Sequence, residues 1–207
     1  GPVDIGCDQV HPDTDGFDAH RINALFNWGL SNRGVTAPHG GSIICCHRAA
    51  QAHVAQNYDT LWTLELSAIA TGLNGSMLYA WRQDNSPEDA YGSGWSVTRP
   101  RELQRICRQL KALYPYIMNG LGTATRSFDS RVRARLCGDK TKEGRALLLV
   151  NFERLEKMTA TLHMPELAGK TLVPLFEENA KPVKVDAKGD FSVEFEPDAS
   201  RVMKVEG

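Results

Sequence analysis

The chain has 207 residues, with 24 Lys and Arg against 25 Asp and Glu, a formal net charge of −1 and 42% hydrophobic residues. That balance gives no electrostatic case for a nucleic acid or an anionic membrane as partner, and no apolar run approaches the ~20 residues of a membrane-spanning helix. The length suits two modest cores but is short of a complete β/α barrel, which takes about 250 residues.

In chain order, Val3–Val10 is a strand candidate whose end carries Asp8, Gln9 and His11, and Phe17–Leu30 reads as a helix with Ile22, Leu25 and Phe26 inward. Asp13 and Asp15, around Pro12 and Gly16, read as turn residues of a solvated loop. Ser42–Cys46 is a short apolar strand running into His47 and Arg48. Tyr58–Leu73 has the spacing of a helix, with Leu61, Leu64, Ile69 and Leu73 recurring, Trp62 and Leu66 broadening the stripe, and Asp59 or Thr60 placed to cap it. Ser76–Ala80 is apolar and follows Gly75, as a buried parallel strand does, and it ends abruptly in Trp81, Arg82, Gln83 and Asp84. Arg101–Met118 is a further helix, with Leu103, Ile106, Cys107, Leu110 and Leu113 on one face and Arg101, Arg105, Arg108 and Lys111 on a solvated one. Strand and helix alternating three times predict a parallel α/β arrangement.

Beyond Gly120 and Gly122 the period changes. Short strands are expected at Arg131–Leu136, Arg145–Asn151, Met158–His163, Thr171–Phe176, Val183–Val185, Phe191–Phe195 and Arg201–Val205, with turn signals at Gly138, Pro165, Gly169, Gly189 and Pro197-Asp198 between them. Ala146–Asn151 is the most apolar and is expected to be central. The spacing predicts a small antiparallel β-sandwich. It shows no exposed aromatic trio, so a packing role is favoured over a sugar-binding one.

The five cysteines, Cys7, Cys45, Cys46, Cys107 and Cys137, are odd in number and lack CxxC spacing, so no metal site and no cofactor is expected. They read as buried thiols acting as small hydrophobes. Cys46 and His47 are adjacent on a strand and face opposite ways, which argues against a thiol–imidazole pair. No signal-peptide pattern opens the chain, and a soluble protein of unassigned compartment is expected. The first residue is Gly rather than Met, as in a processed start, a tag remnant or a cut from something longer.

Polar and aromatic groups at a strand's C-terminal end suit the active-site face of a β/α barrel. An indole face beside Arg and Asp is chemistry that grips a sugar ring. The run from Leu61 to Gln83, ending Tyr79-Ala-Trp-Arg-Gln83, resembles the last barrel helix and eighth strand of family 42 glycoside hydrolases, mainly β-galactosidases. The resemblance extends more weakly back to the strand ending at His11 and on to the helix ending near Pro115. It implies that residues 1–118 are the last three β/α units of a (β/α)8-type barrel, followed at 123–207 by an antiparallel β-sandwich.

Two departures follow from that resemblance. The seventh strand of such a retaining enzyme is expected to end in a nucleophilic Glu, whereas Ile44–Arg48 holds no carboxylate, and the fourth strand, which would carry the acid/base, is not in the chain. Glycoside hydrolysis ordinarily needs two carboxyl groups flanking the bond. The family's acidic position after Trp-Arg-Gln falls near Glu88 or Asp89, and its His position falls at Gly92. In barrels that resemble α-galactosidases, an Asp ending the sixth strand is the acid/base, which makes Asp8 the catalytic candidate. His11, His47, Arg48, Trp81, Arg82, Asp84, Glu88 and Asp89 are the candidate substrate-binding residues. The expected partners are carbohydrate and the remaining barrel segment or another copy of the chain. Three readings stand: the C-terminal portion of a glycosidase, incomplete alone; a non-catalytic carbohydrate-binding or scaffold protein derived from such a barrel; or an unrelated small α/β protein with a β appendage, the resemblance being accidental.

Overall fold

The computed structural model describes residues 5–10, 42–48, 58–71, 75–79, 98–118, 121–126, 131–138, 144–153, 155–177 and 179–207. The chain divides into two compact units, Gly1–Cys107 and Arg108–Gly207. The expected helix Phe17–Leu30 lies outside the described residues.

In the first unit, β1 (Ile5–Val10), β2 (Ser42–Arg48) and β3 (Gly75–Tyr79) form a sheet in the order β1-β2-β3. Both pairings are parallel, as the alternation with helices requires. Helix α1 (Tyr58–Thr71) precedes β3, with Asp59 in its first turn, where a carboxylate complements the helix dipole. Trp62, Leu66, Ile69 and Ala70 are buried, and so are Thr63, Glu65 and Ser67, so α1 is covered on more than one face. Tyr58 stacks on Trp62 at 6.4 Å with 12° between the rings, and the Arg105 guanidinium sits 3.8 Å from the Tyr58 ring centroid. This cation–π contact ties the start of the next helix to the start of α1.

Helix α2 (Thr98–Met118) begins with Pro100 in its first turn, where a missing N–H costs nothing, and contains Pro115. Its buried positions are Ile106, Gln109, Leu113 and Tyr116. That stripe corrects the expectation for Cys107, which is exposed. One residue is 100° of helical turn, and with the stripe centred on Ile106 and Gln109 the thiol at 107 is carried out to solvent. Arg101, Arg105, Arg108 and Lys111 are exposed as expected. No helix among the described residues is long and apolar enough to cross a membrane.

The second unit is antiparallel. A six-stranded sheet runs β4-β5-β6-β11-β8-β9, built from β4 (Leu121–Arg126), β5 (Val132–Cys137), β6 (Ala146–Asn151), β8 (Thr171–Pro174), β9 (Val183–Lys184) and β11 (Arg201–Glu206). A two-stranded sheet pairs β7 (Met158–His163) with β10 (Asp190–Phe195). The seven expected strands are all present. Strand β4 is an addition; its pairing with β5 shifts register between Leu121 and Ala124, across Gly122, and that irregularity hides the alternation from sequence. Strand β6 is central and buried along its whole length.

One core joins the two sheets: Ala134, Leu147, Leu149, Leu172 and Met203 from the larger meet Met158, Ala160, Leu162, Phe191, Val193 and Phe195 from the smaller. Each of the Leu, Met, Val and Phe side chains taken fully from water contributes about 1.5–3 kcal/mol. Strands β7 and β10 alternate buried and exposed residues, so Thr159, Thr161, His163, Ser192 and Glu194 form a polar outer face. There His163 Nδ1 lies 2.6 Å from Asp190 Oδ1, and the Thr161 and Ser192 hydroxyls are 3.2 Å apart.

Polar links close the ends of the two sheets. Buried Asn151 donates from Nδ2 to Glu196 C=O at 3.1 Å and from its backbone N–H to Ser200 Oγ at 2.9 Å. The Asp198 N–H donates to Glu153 C=O at 2.7 Å, and Asp198 adopts φ 59°, a left-handed conformation that Asp tolerates. Lys170 Nζ donates to the carbonyl of Gly207, fixing the last residue.

Glu153 organises the turn before β7. Its carboxylate accepts from Leu155 N–H at 2.9 Å and pairs with Arg131 at 2.9 Å, and these contacts, the backbone one first, hold its pKa below the ordinary 4.5. A lowered folded-state pKa means the proton binds more weakly in the folded chain than in the unfolded one. The stabilisation is therefore complete above about pH 4.5 and is lost as the pH falls through the lower folded value. Glu153→Gln should cost stability at neutral pH and progressively less below pH 4.5, so that wild type and variant converge in acid. Denaturant titrations at a series of pH values test this; a pH-independent difference would mean that Glu153 acts by packing.

Candidate functional site

The register of the parallel sheet determines which expected site residues share its C-terminal half. The backbone of Asp8 is level with Cys45 and Ser76, and that of His47 is level with Val10 and Leu78. Arg48, the last residue of β2, is level with Tyr79, the last of β3. Asp8, His47 and Arg48 thus belong to adjacent strands, with Asp8 one pleat nearer the sheet's middle than His47. Parallel strands deliver their following loops to one edge, and the chain runs from Val10 into His11 and from Tyr79 towards Trp81 and Arg82. His11, Trp81, Arg82, Asp84, Glu88 and Asp89 lie outside the described residues.

A polar cleft lies in the Arg108–Gly207 unit, and sequence reading missed it. An open cleft of about 300 Å3 is lined by Lys157, Met158, Thr159, Glu194, Phe195, Glu196 and Arg201. Antiparallel pairing of Met158 with Phe195 makes it, because the next residue outward on each strand is then Lys157 and Glu196. These form an ion pair at 2.6 Å, and the Glu196 carboxylate raises the Lys157 pKa, holding the ammonium charged. The Arg201 guanidinium sits 5.8 Å from the Phe195 ring centroid, and its Nε is 3.5 Å from a Glu177 carboxylate oxygen. The sequence signal was weak because Lys157 and Glu196 are 39 residues apart. The cleft offers donors and acceptors to a polar ligand. It offers no stacking surface, since Phe195 is 2% exposed. A lysine kept protonated by a carboxylate is a poor general base. Among the described residues no group of His, Cys, Asp and Glu is arranged to hold a metal ion.

No family model matches the sequence, and no curated protein matches it. Solved structures do match the fold. The maltogenic α-amylase AmyB from Thermotoga neapolitana superposes with a TM-score of 0.63 at 13% identity, over 99% of this chain and 51% of that one. An α-amylase from Geobacillus thermoleovorans, solved with acarbose, gives 0.57 at 12% identity, over 89% of this chain and 42% of its own. A GH30 endoxylanase from Clostridium papyrosolvens gives 0.54 at 11% identity, over 98% and 49%. The chain shares its fold with the matched part of each of these structures. It spans about half the length of these neighbours. Identity this low carries the fold alone and does not single out family 42.

Proposed function

We propose that this chain is the C-terminal portion of a glycoside hydrolase, of β-galactosidase type by its sequence resemblance, and that its catalytic pair is incomplete within these 207 residues. One observation carries the reading. A fold match reaches 99% of the chain yet only 51% of an α-amylase, and it covers a parallel sheet followed by antiparallel ones. Residues 1–118 are read as the last three β/α units of a barrel and 123–207 as an antiparallel sandwich. Parallel β1-β2-β3 pairing and the core shared by the two antiparallel sheets support that division.

In this reading Asp8 exchanges the proton at the glycosidic oxygen, and a second carboxylate comes from outside these residues. His11, His47, Arg48, Arg82, Asp84, Glu88 and Asp89 hydrogen-bond sugar hydroxyls, and Trp81 stacks on the ring. A non-catalytic carbohydrate-binding role is the second reading. It is favoured by the end of β2, His47-Arg48, which has sugar-binding donors but no carboxylate.

Trp81→Ala tests the site. With galactose, maltose and xylo-oligosaccharides as titrants, the variant is expected to weaken sugar binding by about tenfold or more, ~1.4 kcal/mol, with little loss of stability. A loss of ~3–5 kcal/mol in stability with binding unchanged would place the indole in a core and remove the site. The chain alone should not turn over a chromogenic β-galactoside. Turnover abolished by Asp8→Asn would show that the catalytic pair is complete after all.

A further inference from the structure

In a parallel sheet, level residues on neighbouring strands share a face, and residues two apart on one strand share it as well. Asp8 is level with Cys45 and Ser76, and His47 is level with Val10 and Leu78. These six positions therefore make two consecutive rows on one face of the three-stranded sheet. Gln9, Cys46 and Met77, also level with one another, belong to the other face. Asp8 and His47 come from different strands, each chosen only for its nearness to a strand end, and the register puts both on the same face.

The two rows differ in depth. A ligand that approaches from the C-terminal edge of the strands meets the row of Val10, His47 and Leu78 first and ends on the row of Asp8, Cys45 and Ser76. Neighbouring strands are about 4.8 Å apart, and two residues along a parallel strand cover about 6.6 Å, so Asp8 and His47 lie about 8 Å apart on a diagonal. Val10 and Cys45 hold the other two corners of that patch. A group that touches both Asp8 and His47 must therefore cover position 45. The thiol that sequence sets beside His47 is Cys46, on the opposite face; the register supplies Cys45 instead.

The deeper row reads carboxylate, thiol, hydroxyl at intervals of about 4.8 Å. A pyranose presents hydroxyls at its edges and C–H surface between them. Carboxylate and hydroxyl suit the edges, and a thiol, small and weakly hydrogen-bonding, suits the C–H surface. We propose that Asp8, Cys45 and Ser76 form the floor of the sugar site, with Cys45 setting how large a ring it admits and Ser76 bonding a further hydroxyl. The proposal rests on the glycosidase reading of Asp8.

Alkylation of the whole chain by iodoacetamide, followed residue by residue by fragment mass spectrometry, tests it without a substitution. Whichever of galactose, maltose and xylo-oligosaccharides binds is expected, at saturation, to slow alkylation of Cys45 by about tenfold or more and to leave Cys46 and the exposed Cys107 unaffected. A purely structural Cys45 would show no such difference. Cys45→Leu is expected to weaken binding of that sugar by about tenfold or more and Ser76→Ala by about fivefold, as for one lost hydrogen bond, while Cys46→Leu leaves it unchanged. If Cys45→Leu fails to fold and the thiols do not react in the free chain, Ser76→Ala, which only removes a hydroxyl, decides. A sugar that binds and is weakened by Trp81→Ala, yet protects Cys45 no more than Cys46, would overturn this inference and leave the glycosidase reading standing. Binding of none of the three sugars would overturn that reading, and this inference with it.

Discussion

Phe195→Ala is expected to lower the stability of the Arg108–Gly207 unit by about 3–5 kcal/mol. The ring is 2% exposed and belongs to the core shared by both antiparallel sheets. It lies at the end of β10, directly opposite Met158. Truncation would remove the ring's burial and leave a cavity that the surrounding strands cannot easily collapse into, because their backbones are held by the Asn151, Ser200 and Glu196 bonds. It would also take away the face over which the Arg201 guanidinium sits at 5.8 Å. Denaturant unfolding followed through exchange of β6 and β7 amides isolates this unit from the rest of the chain. A loss below ~1 kcal/mol would mean that the site relaxes around the gap, and the two sheets would not share one close-packed core.

Gly189→Ala is expected to cost about 2–4 kcal/mol, more than its backbone conformation alone explains. Gly189 has φ 91°, and a Cβ there would lie 2.5 Å from Met164 O and 2.7 Å from Pro165 Cα. These atoms are backbone and cannot swing aside. The same glycine accepts the Met164 N–H at 2.8 Å, so relief by displacement would break the bond that closes the β7–β10 sheet. Gly169 supplies the control: its φ is 72°, but nothing lies within 4 Å of its would-be Cβ. Gly169→Ala should therefore cost only the ~1–2 kcal/mol of a left-handed L-residue. Equal losses at the two positions would show that the close approach at Gly189 is relieved at no cost.

Several elements were legible because one local signal settled each. The Met158–His163 strand matches its expected bounds, since a run alternating Met-Thr-Ala-Thr-Leu-His has only one way to bury its apolar half. The centrality of Ala146–Asn151 followed from a run apolar on both faces. The helix through Tyr58 and the three strands ahead of the antiparallel region were likewise visible as switches between helical and strand periods. The candidate site was less legible. Asp8, His47 and Arg48 were chosen as strand-end residues, and the register places their strands side by side.

What sequence could not decide depended on partners remote in the chain. Cys107 looked inward on local periodicity, but which 100° of a helix faces a core is chosen by what packs on it, and here the buried stripe runs through Gln109 instead. Strand β4 was hidden by an irregular pairing that only its neighbour defines. The Lys157–Glu196 pair exists because two strands distant in sequence, β7 and β10, meet in one register. Periodicity and turn chemistry act within a few residues, so they make legible the kind and the order of every described strand but β4. Which strands pair and which helix face is covered are set by contacts between distant segments, and such contacts leave no local signature to read.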